Sequence, residues 1–140
     1  MSLEQNKTLI RRFVDFSSDK DQTNVKTLLA PDFVLQQADG PHNQEEFLQH
    51  LIYFLTAFSD THFTVEEQIA EGDQVVTRGT WSGTHSGDFQ GVPPTGKRIA
   101  ISAVLFDRIE DSKIVEHRSQ FDMLSMMQQL GLVPPPQGVR

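Results

Sequence analysis

The sequence predicts a single α+β domain, because helical patterns dominate its first part and strand patterns the rest. Before Asp60, apolar residues recur mainly at the spacing of a helix face, whereas after Asp60 they alternate with a period of two. A length of 140 residues falls in the range of one domain. We expect residues 1–132 to form this domain and residues 133–140, VPPPQGVR, to form a loose tail.

The N-terminal region predicts two helices and a short strand. The first helix is expected from residue 3 to about residue 17, and its apolar stripe consists of Leu9, Ile10, Phe13, Val14 and Phe16. A second, brief helix ends before Pro31, because the residue before a proline is disfavoured in a helical conformation. Residues 32–37, DFVLQQ, are predicted to form a short strand.

A third helix is the strongest helical prediction. Gly40 and Pro41 break the chain before it, Asn43 can cap it, and Glu46 stands three residues further on, as in a capping box. The apolar face that follows is wide enough to be mostly buried. Its members are Phe47, Leu48, Leu51, Ile52, Phe54, Leu55 and Phe58.

Four strand patterns separated by turns follow the third helix, and a short helix is predicted between residues 123 and 132. The strand IAISAVLFDRI is apolar on both faces, since Ile99, Ile101 and Leu105 point one way and Val104 and Phe106 the other. Such a strand belongs to a sheet with both faces covered. We expect helices on one face and a second copy of the chain on the other, which makes a homodimer.

The composition excludes several functions. The formal net charge is −7 and no basic run is present, which disfavours binding to nucleic acid or to an anionic membrane surface. There is no cysteine, so disulfides, thiolate nucleophiles and cysteine-ligated metals are excluded. Neither a secretory signal nor a membrane span is evident, and a cytoplasmic protein is expected.

A long connection, GTHSGDFQGVPPTGKR from Gly83 to Arg98, joins two of the predicted strands. We expect its glycines, at positions 83, 87, 91 and 96, to adopt positive φ where the path reverses. The pair Pro93-Pro94 stiffens its middle. A long, ordered loop at one end of a sheet is predicted to form the rim of a cavity as well as a structural element. For His85 itself, a purely structural role is favoured.

The stretch GTHSGDFQGVPPTGKRI resembles the signature of the SnoaL-like polyketide cyclase and predicted ester cyclase family, within the nuclear transport factor 2-like (cystatin-like) superfamily. Further matching pieces are IAEGDQVVTRGTWSGTH, FDRIEDSKIVEH and QQLGL, so that the resemblance covers about residues 3 to 132. It implies a cone-shaped fold, with a curved four-strand antiparallel or mixed sheet and N-terminal helices on its concave face. It also implies a small-molecule ligand and no cofactor.

The resemblance implies a cyclase or isomerase that acts on a carbonyl compound held in an apolar pocket. Family cyclases use an aspartate near the end of the last strand as general acid/base, and its counterpart after the IVEH motif is Asp122. On strand periodicity Arg118, Gln120 and Asp122 share one face, which by periodicity alone would be a solvated sheet face. The reaction implied is abstraction of a proton next to a carbonyl, followed by intramolecular aldol closure.

Several other residues are candidates for the same site. His117 and Arg108 are predicted to assist Asp122; where the family carries a partner histidine on the preceding strand, this chain has Asp107 or Arg108. Family members commonly carry Trp after the motif histidine, where Arg118 stands here. The predicted substrate-binding residues are Trp81, Gln120, Arg118, Tyr53, Phe54 and Phe106.

Two alternatives remain open at the level of sequence. The five histidines lack the spacing of a metal site, so no metal is expected. The first alternative is a cofactor-independent enzyme with Asp122 as its base. The second is a domain of the same fold that binds a small ligand without turnover, because fold does not dictate function. An enclosed Asp122 would favour the enzyme, whereas a solvent-exposed one would favour the binding domain.

Overall fold

The structure is a computed structural model that describes residues 2–134. Residues 135–140 of the predicted tail lie outside this range. The helices are α1 (Leu3–Phe16), α2 (Thr23–Thr27), α3 (Gln44–Ala57) and α4 (Met123–Gln129). The strands are β1 (Leu29–Gln37), β2 (Gly40–His42), β3 (Phe58–Glu71), β4 (Gln74–His85), β5 (Arg98–Glu110) and β6 (Lys113–Phe121). The predicted order of helices and strands is therefore confirmed.

The strands form one curved mixed sheet in the order β2-β1-β6-β5-β4-β3. Strands β1 and β6 are parallel and all other neighbours are antiparallel. The sheet has six strands instead of the expected four. The two additional strands are β1, which the sequence predicts as a separate short strand, and β2. Strand β2 includes Pro41, where the sequence predicts only a break in the chain. A proline is tolerated there because β2 is an edge strand, where one row of N–H groups has no partner in the sheet.

Helices α1 and α3 pack on the concave face of the sheet, as the predicted fold class requires. Both begin with the capping box that a stable helix start needs: Ser2 with Gln5 for α1, and Asn43 with Glu46 for α3. The main core lies between these helices and the sheet. Its largest members are Ile10, Phe13, Phe33, Phe47, Phe63 and Leu105. None of the helices within residues 2–134 is long and apolar enough to cross a membrane.

Strand β5 places its two apolar sets on opposite faces, as predicted. Ile99, Ile101 and Leu105 are buried under the helices, whereas Phe106 on the outer face is 46% exposed. On neighbouring β3, Ile69 is 62% exposed. The outer face of the sheet therefore carries apolar side chains that the chain's own helices do not cover.

The connection between β4 and β5 is tied to the end of α3. The backbone N–H groups of Ser86 and Gly87 both donate to the carbonyl oxygen of Ala57, at 3.0 Å each. The Tyr53 hydroxyl accepts the N–H of Gln90 at 2.6 Å, and Phe89 is fully buried in a second core cluster. No residue between 86 and 97 lines the cavity described below. The prediction that this connection forms the rim of the cavity is therefore wrong. The connection instead closes one end of the fold.

The glycines of this connection serve two different purposes. Gly91 and Gly96 have φ of +83° and +72°, so the predicted positive φ is confirmed there. Gly83 and Gly87 do not have positive φ, and that part of the prediction is wrong. A Cβ at Gly87 would lie only 2.2 Å from the carbonyl oxygen of Thr56. Glycine is needed at 87 for close approach of two backbones.

Candidate active site

A cavity of about 780 Å³ lies between the concave face of the sheet and helices α1, α3 and α4. A volume of this size matches a small-molecule site. Its walls are mainly apolar, and its aromatic members are Phe13, Phe47, Phe54, Phe63, Trp81 and Phe121. A smaller depression of about 390 Å³ beside α1 is lined mostly by polar residues and lacks the groups described next.

The central polar feature of the cavity is a buried pair formed by His117 and Asp107. The Nδ1 atom of His117 lies 2.6 Å from Oδ1 of Asp107, and the two side chains are 7% and 0% exposed. An ionised carboxylate can only accept, so Nδ1 carries the proton and donates it to Asp107. Since His117 lines the cavity, Nε2 is the ring nitrogen left for a ligand.

The register of two adjacent strands brings this pair together. Asp107 on β5 and His117 on β6 are directly opposite in the antiparallel ladder, and both point to the concave face. Two aromatic rings from the helices hold the imidazole edge-on: Phe13 at 5.1 Å and Phe47 at 5.7 Å between ring centroids. The Oδ2 atom of Asp107 is buried without a hydrogen-bond partner among residues 2–134. The ring N–H of His117 is therefore the hydrogen-bond donor on which this carboxyl group depends.

A second histidine, His50 on α3, lines the same cavity. Its ring packs edge-on against Phe54, with centroids 5.0 Å apart. His50 is an exposed residue at the mouth of the cavity; its partial burial lowers its pKa, the neighbouring His42 and His117 lower it further, and Asp39 opposes them. His50 is therefore a neutral imidazole near neutral pH, with one N–H donor and one acceptor nitrogen.

Polar groups between β1 and α3 form one side of the cavity. Asp39 lines the cavity and accepts a hydrogen bond from His42, with 2.8 Å between Oδ1 and Nε2. His42 also contacts Glu46, with 3.5 Å between Nδ1 of His42 and Oε2 of Glu46. The hydrogen bond to Asp39 is the main cause that raises the pKa of His42, and the same bond lowers the pKa of Asp39. The β1–β2 turn is in this way joined to the first turn of α3.

The predicted catalytic residue Asp122 does not lie in the cavity. Its side chain is exposed and caps α4, accepting the N–H of Ser125 at 3.0 Å. It is absent from the cavity lining, although its neighbours Phe121 and Met123 belong to it. The expectation of an enclosed carboxylate at this position is therefore corrected: the strand ends at Phe121, and the local need for a helix cap turns Asp122 outward.

Three other predicted site residues also lie outside the cavity. Arg108 is on the outer face of the sheet. Its guanidinium group lies 3.8 Å from Oδ2 of Asp73 and 3.9 Å from Oε1 of Glu116. Phe106 is on the same outer face, because side chains alternate along β5. Tyr53 is 42% exposed and binds the β4–β5 connection instead of a ligand space.

The remaining predicted residues do contribute to the cavity. Trp81 and Phe54 both line it and contact each other edge-on, with ring centroids 6.3 Å apart and planes nearly perpendicular. Arg118 and Gln120 border it as well, but the register sets them opposite Phe106 and Val104, so their side chains belong to the outer face of the sheet. The predicted residues whose side chains the structure brings together in the cavity are thus His117, Trp81 and Phe54.

Sequence reasoning left two residues of this site unassigned. Asp107 was noted only as one occupant of a family position, and His50 was counted only among histidines without metal spacing. The available signal for Asp107 was a carboxylate at an inward position of an otherwise apolar strand face. For His50 it was a histidine between Phe47 and Phe54 on the apolar face of a helix. Within residues 2–134, no cluster of three or more His, Asp or Glu side chains could hold a metal ion.

The curved mixed sheet, the helices on its concave face and the apolar cavity between them define a small-molecule-binding α+β domain. The profile described as SnoaL-like polyketide cyclase matches residues 7–130. The chain belongs to the SnoaL-like polyketide cyclase family, and its fold is of the nuclear transport factor 2-like type.

Two characterised relatives are similar along nearly the whole chain. The aklanonic acid methyl ester cyclase DnrD from Streptomyces peucetius is 28% identical, over 94% of this chain and 95% of the relative. The aklanonic acid methyl ester cyclase DauD from Streptomyces sp. (strain C5) is also 28% identical, over 94% of this chain and 86% of the relative. Membership of this family supports a cofactor-independent cyclase role.

Solved structures show the same fold. AclR from Streptomyces galilaeus, a proposed hydroxylase, superposes with a TM-score of 0.89 at 30% identity, covering 99% of this chain and 88% of AclR. IdmH from Streptomyces antibioticus, a proposed polyketide cyclase, superposes with a TM-score of 0.81 at 31% identity, covering 91% of this chain and 99% of IdmH. Relatives of one fold thus carry two different proposed chemistries.

Proposed function

We propose that the protein is a cofactor-independent cyclase that closes a ring within a carbonyl-containing ester, with His117 as its general base. The observation that carries this proposal is the buried His117–Asp107 pair in the wall of an apolar cavity. Histidine is the side chain most often used for proton transfer near neutral pH. A carboxylate behind Nδ1 fixes the tautomer and stabilises the imidazolium that forms.

The chemistry needs no atom from outside the substrate. Nε2 of His117 takes a proton from a carbon next to a carbonyl, and the electron pair of that C–H bond becomes an enolate. The enolate carbon attacks a second carbonyl carbon of the same molecule, so that one carbon–carbon bond forms and one C=O π bond becomes an alkoxide. Protonation of the alkoxide completes an isomerisation.

The enolate oxygen needs hydrogen-bond donors while it carries charge. Trp81 is the candidate supplier from the cavity wall, and Phe54 is a wall against which a flat ligand can pack. The names of the relatives make aklanonic acid methyl ester the first substrate to test.

The test is an assay of the purified protein with aklanonic acid methyl ester and no added cofactor. We expect a product of unchanged mass, and a rate about 10²-fold or more lower in His117→Gln. Asp122→Asn is the matched control, because asparagine caps a helix as well as aspartate does. Full loss of activity in Asp122→Asn, with activity retained in His117→Gln, would return the role of base to Asp122. A product with one added oxygen would indicate hydroxylase chemistry instead.

The second candidate is a ligand-binding domain without turnover. The solvent-exposed position of Asp122 favours it, because the family's acid is then missing from the cavity. In that case the ester binds, which changes the fluorescence of Trp81, the single tryptophan, but no product forms. Conversion of the ester by the wild-type protein would rule this candidate out.

We propose that the protein forms a homodimer through the outer face of its sheet. Ile69, Val76 and Phe106 are direct neighbours across β3, β4 and β5, and they form an exposed apolar row. Acidic residues flank this row on β3, where two of them pair with Arg78, and Arg108 and Arg118 on the β6 side pair with Glu116. The acidic residues are Glu66, Glu67 and Glu71.

A two-fold axis through such a face stacks the apolar row of one subunit on the same row of the other, as a self-complementary interface requires. Light scattering after size-exclusion chromatography should give twice the mass of the chain. Phe106→Lys should give a monomer, whereas Leu124→Lys, at a residue 63% exposed on α4, should not. A monomeric wild-type protein would contradict the proposal.

A further inference from the structure

His50 is a cavity residue that the base mechanism does not use. It lies one turn after Phe47, which contacts the ring of His117, and one turn before Phe54, which contacts the ring of His50 itself. Residues three and four apart share one face of a helix. This spacing directs His50 from α3 into the same space that His117 enters from β6.

The ring of His50 is available to a ligand. None of the side-chain hydrogen bonds found among residues 2–134 involves His50, whereas His42, His85 and His117 each have a polar partner. The charged groups that face His50 are Asp39 and His42 from the β1–β2 region and His117 from β6. Burial and the two neighbouring histidines keep its pKa low, so the ring can donate an N–H without carrying a charge.

The ring closure leaves one proton transfer unassigned. His117 receives the proton from carbon, and a second group must give a proton to the oxygen of the carbonyl that is attacked. A neutral imidazole suits that task, because it polarises a carbonyl by hydrogen bonding and then transfers its proton to the developing alkoxide.

We propose that His50 is the second proton-transfer residue of the cavity, hydrogen-bonded to the carbonyl oxygen that becomes the new hydroxyl. This inference rests on the proposed cyclase function. The proton balance closes: His117 gains one proton, His50 loses one, and solvent restores both residues after the product leaves. The substrate changes only its bonding.

The test compares His50→Ala with the matched control His62→Ala, which removes an exposed histidine from the outer side of β3. With aklanonic acid methyl ester as substrate, we expect kcat of His50→Ala to fall about 10²-fold with little change in KM. Free imidazole should restore part of this activity, because the partly exposed site can admit it. A merely structural role of His50 would not be rescued by imidazole.

Equal turnover by His50→Ala and His62→Ala would overturn the inference while leaving the cyclase function intact. If the wild-type protein does not convert the ester, the cyclase function fails, and imidazole-nitrogen NMR of the ester complex then decides about His50. A shift of the His50 ring signals, without a shift of the His62 signals, would support the hydrogen bond to the ligand. Unchanged His50 signals at saturating ester would overturn it.

Discussion

His117 and Asp107 stand directly opposite each other on adjacent antiparallel strands, with Nδ1 and Oδ1 only 2.6 Å apart and both side chains almost fully buried. Two phenylalanine rings cover the imidazole, and the second carboxylate oxygen has no partner within residues 2–134. A buried pair of this kind costs desolvation energy, and it makes each partner depend on the other. The same arrangement therefore has consequences for both stability and activity.

The pair makes a prediction about stability. His117→Leu leaves the buried carboxyl group of Asp107 without its hydrogen-bond donor, and it should lower the free energy of unfolding by about 1–3 kcal/mol. Asp107→Asn should cost less, because the amide oxygen of asparagine can still accept the Nδ1–H of His117. Urea unfolding measures both. The control is Arg108→Gln, which removes exposed ion pairs and should cost less than about 1 kcal/mol. Equal effects of His117→Leu and Arg108→Gln would contradict the role of the buried pair.

The connection between β4 and β5 makes a prediction about glycine. Gly87→Ala places a methyl group against the backbone of Thr56 and should displace the connection from α3. Overpacking of this kind typically costs about 1–3 kcal/mol. Thermal unfolding should show the loss, and Ser86→Ala, at the exposed neighbouring residue, should be close to neutral. A neutral Gly87→Ala variant would show that the backbone contact does not constrain position 87.

The contact between Asp39, His42 and Glu46 predicts a pH-dependent stability. The pKa of His42 is raised above 6.5, so its contribution is fully present below pH 6.5 and is lost as the pH rises through the higher folded value. The pKa values of Asp39 and Glu46 are lowered from 3.8 and 4.5, so their contributions are lost as the pH falls through the lower folded values. The contact should stabilise most between about pH 4.5 and 6.5.

Melting temperatures of the wild-type protein and of His42→Gln, measured from pH 4 to pH 9, test this window. The difference between the two proteins should be largest near pH 5.5 and should shrink as the pH rises above 6.5 through the raised pKa of His42. His62→Gln serves as the control, because this exposed histidine has no such contact with a carboxylate among the described residues. A difference that does not depend on pH would show that His42 acts through packing alone.

Narrowing the cavity should weaken the binding of a ligand. Leu55 lines the cavity from α3, and Leu55→Phe should weaken binding of aklanonic acid methyl ester about tenfold, which is about 1.4 kcal/mol. Quenching of the single tryptophan, Trp81, measures the binding. Ile52→Phe makes a similar change on the same helix outside the cavity lining, and it should leave affinity unchanged. Equal affinity of both variants would place the ligand elsewhere.

Much of the fold follows from local patterns that the sequence shows directly. The caps at Asn43 and Glu46, the apolar face of α3 and the alternation along β5 each depend on residues a few positions apart. The signature in the β4–β5 connection was sufficient to identify the family. Glycines were harder to interpret, since Gly91 is needed for its φ and Gly87 for space, and only the position of α3 distinguishes the two.

The candidate site was predicted less completely than the fold. His117, Trp81 and Phe54 line the cavity, whereas Asp122, expected inside it from its position relative to a motif, does not. The cap of α4 decided otherwise, because an exposed carboxylate that accepts a backbone N–H is more favourable than an enclosed one without a donor. Arg108 and Phe106 were predicted in the site but lie on the outer face. The alternation of side chains along a strand defines two faces, but it does not show which face lines the cavity.

The sequence by itself determined the elements, their order and the family, because each is encoded in short-range periodicity, caps and a long local motif. Only the tertiary structure decided which acid meets His117. The turn pairs Glu110 with Lys113, and continuing that register would set position 107 opposite 116. An irregularity between Arg108 and Ile109 shifts the ladder by one residue and brings Asp107 opposite His117. Such a shift depends on the packing of the whole sheet, and a one-residue difference in register moves every side chain to the other face.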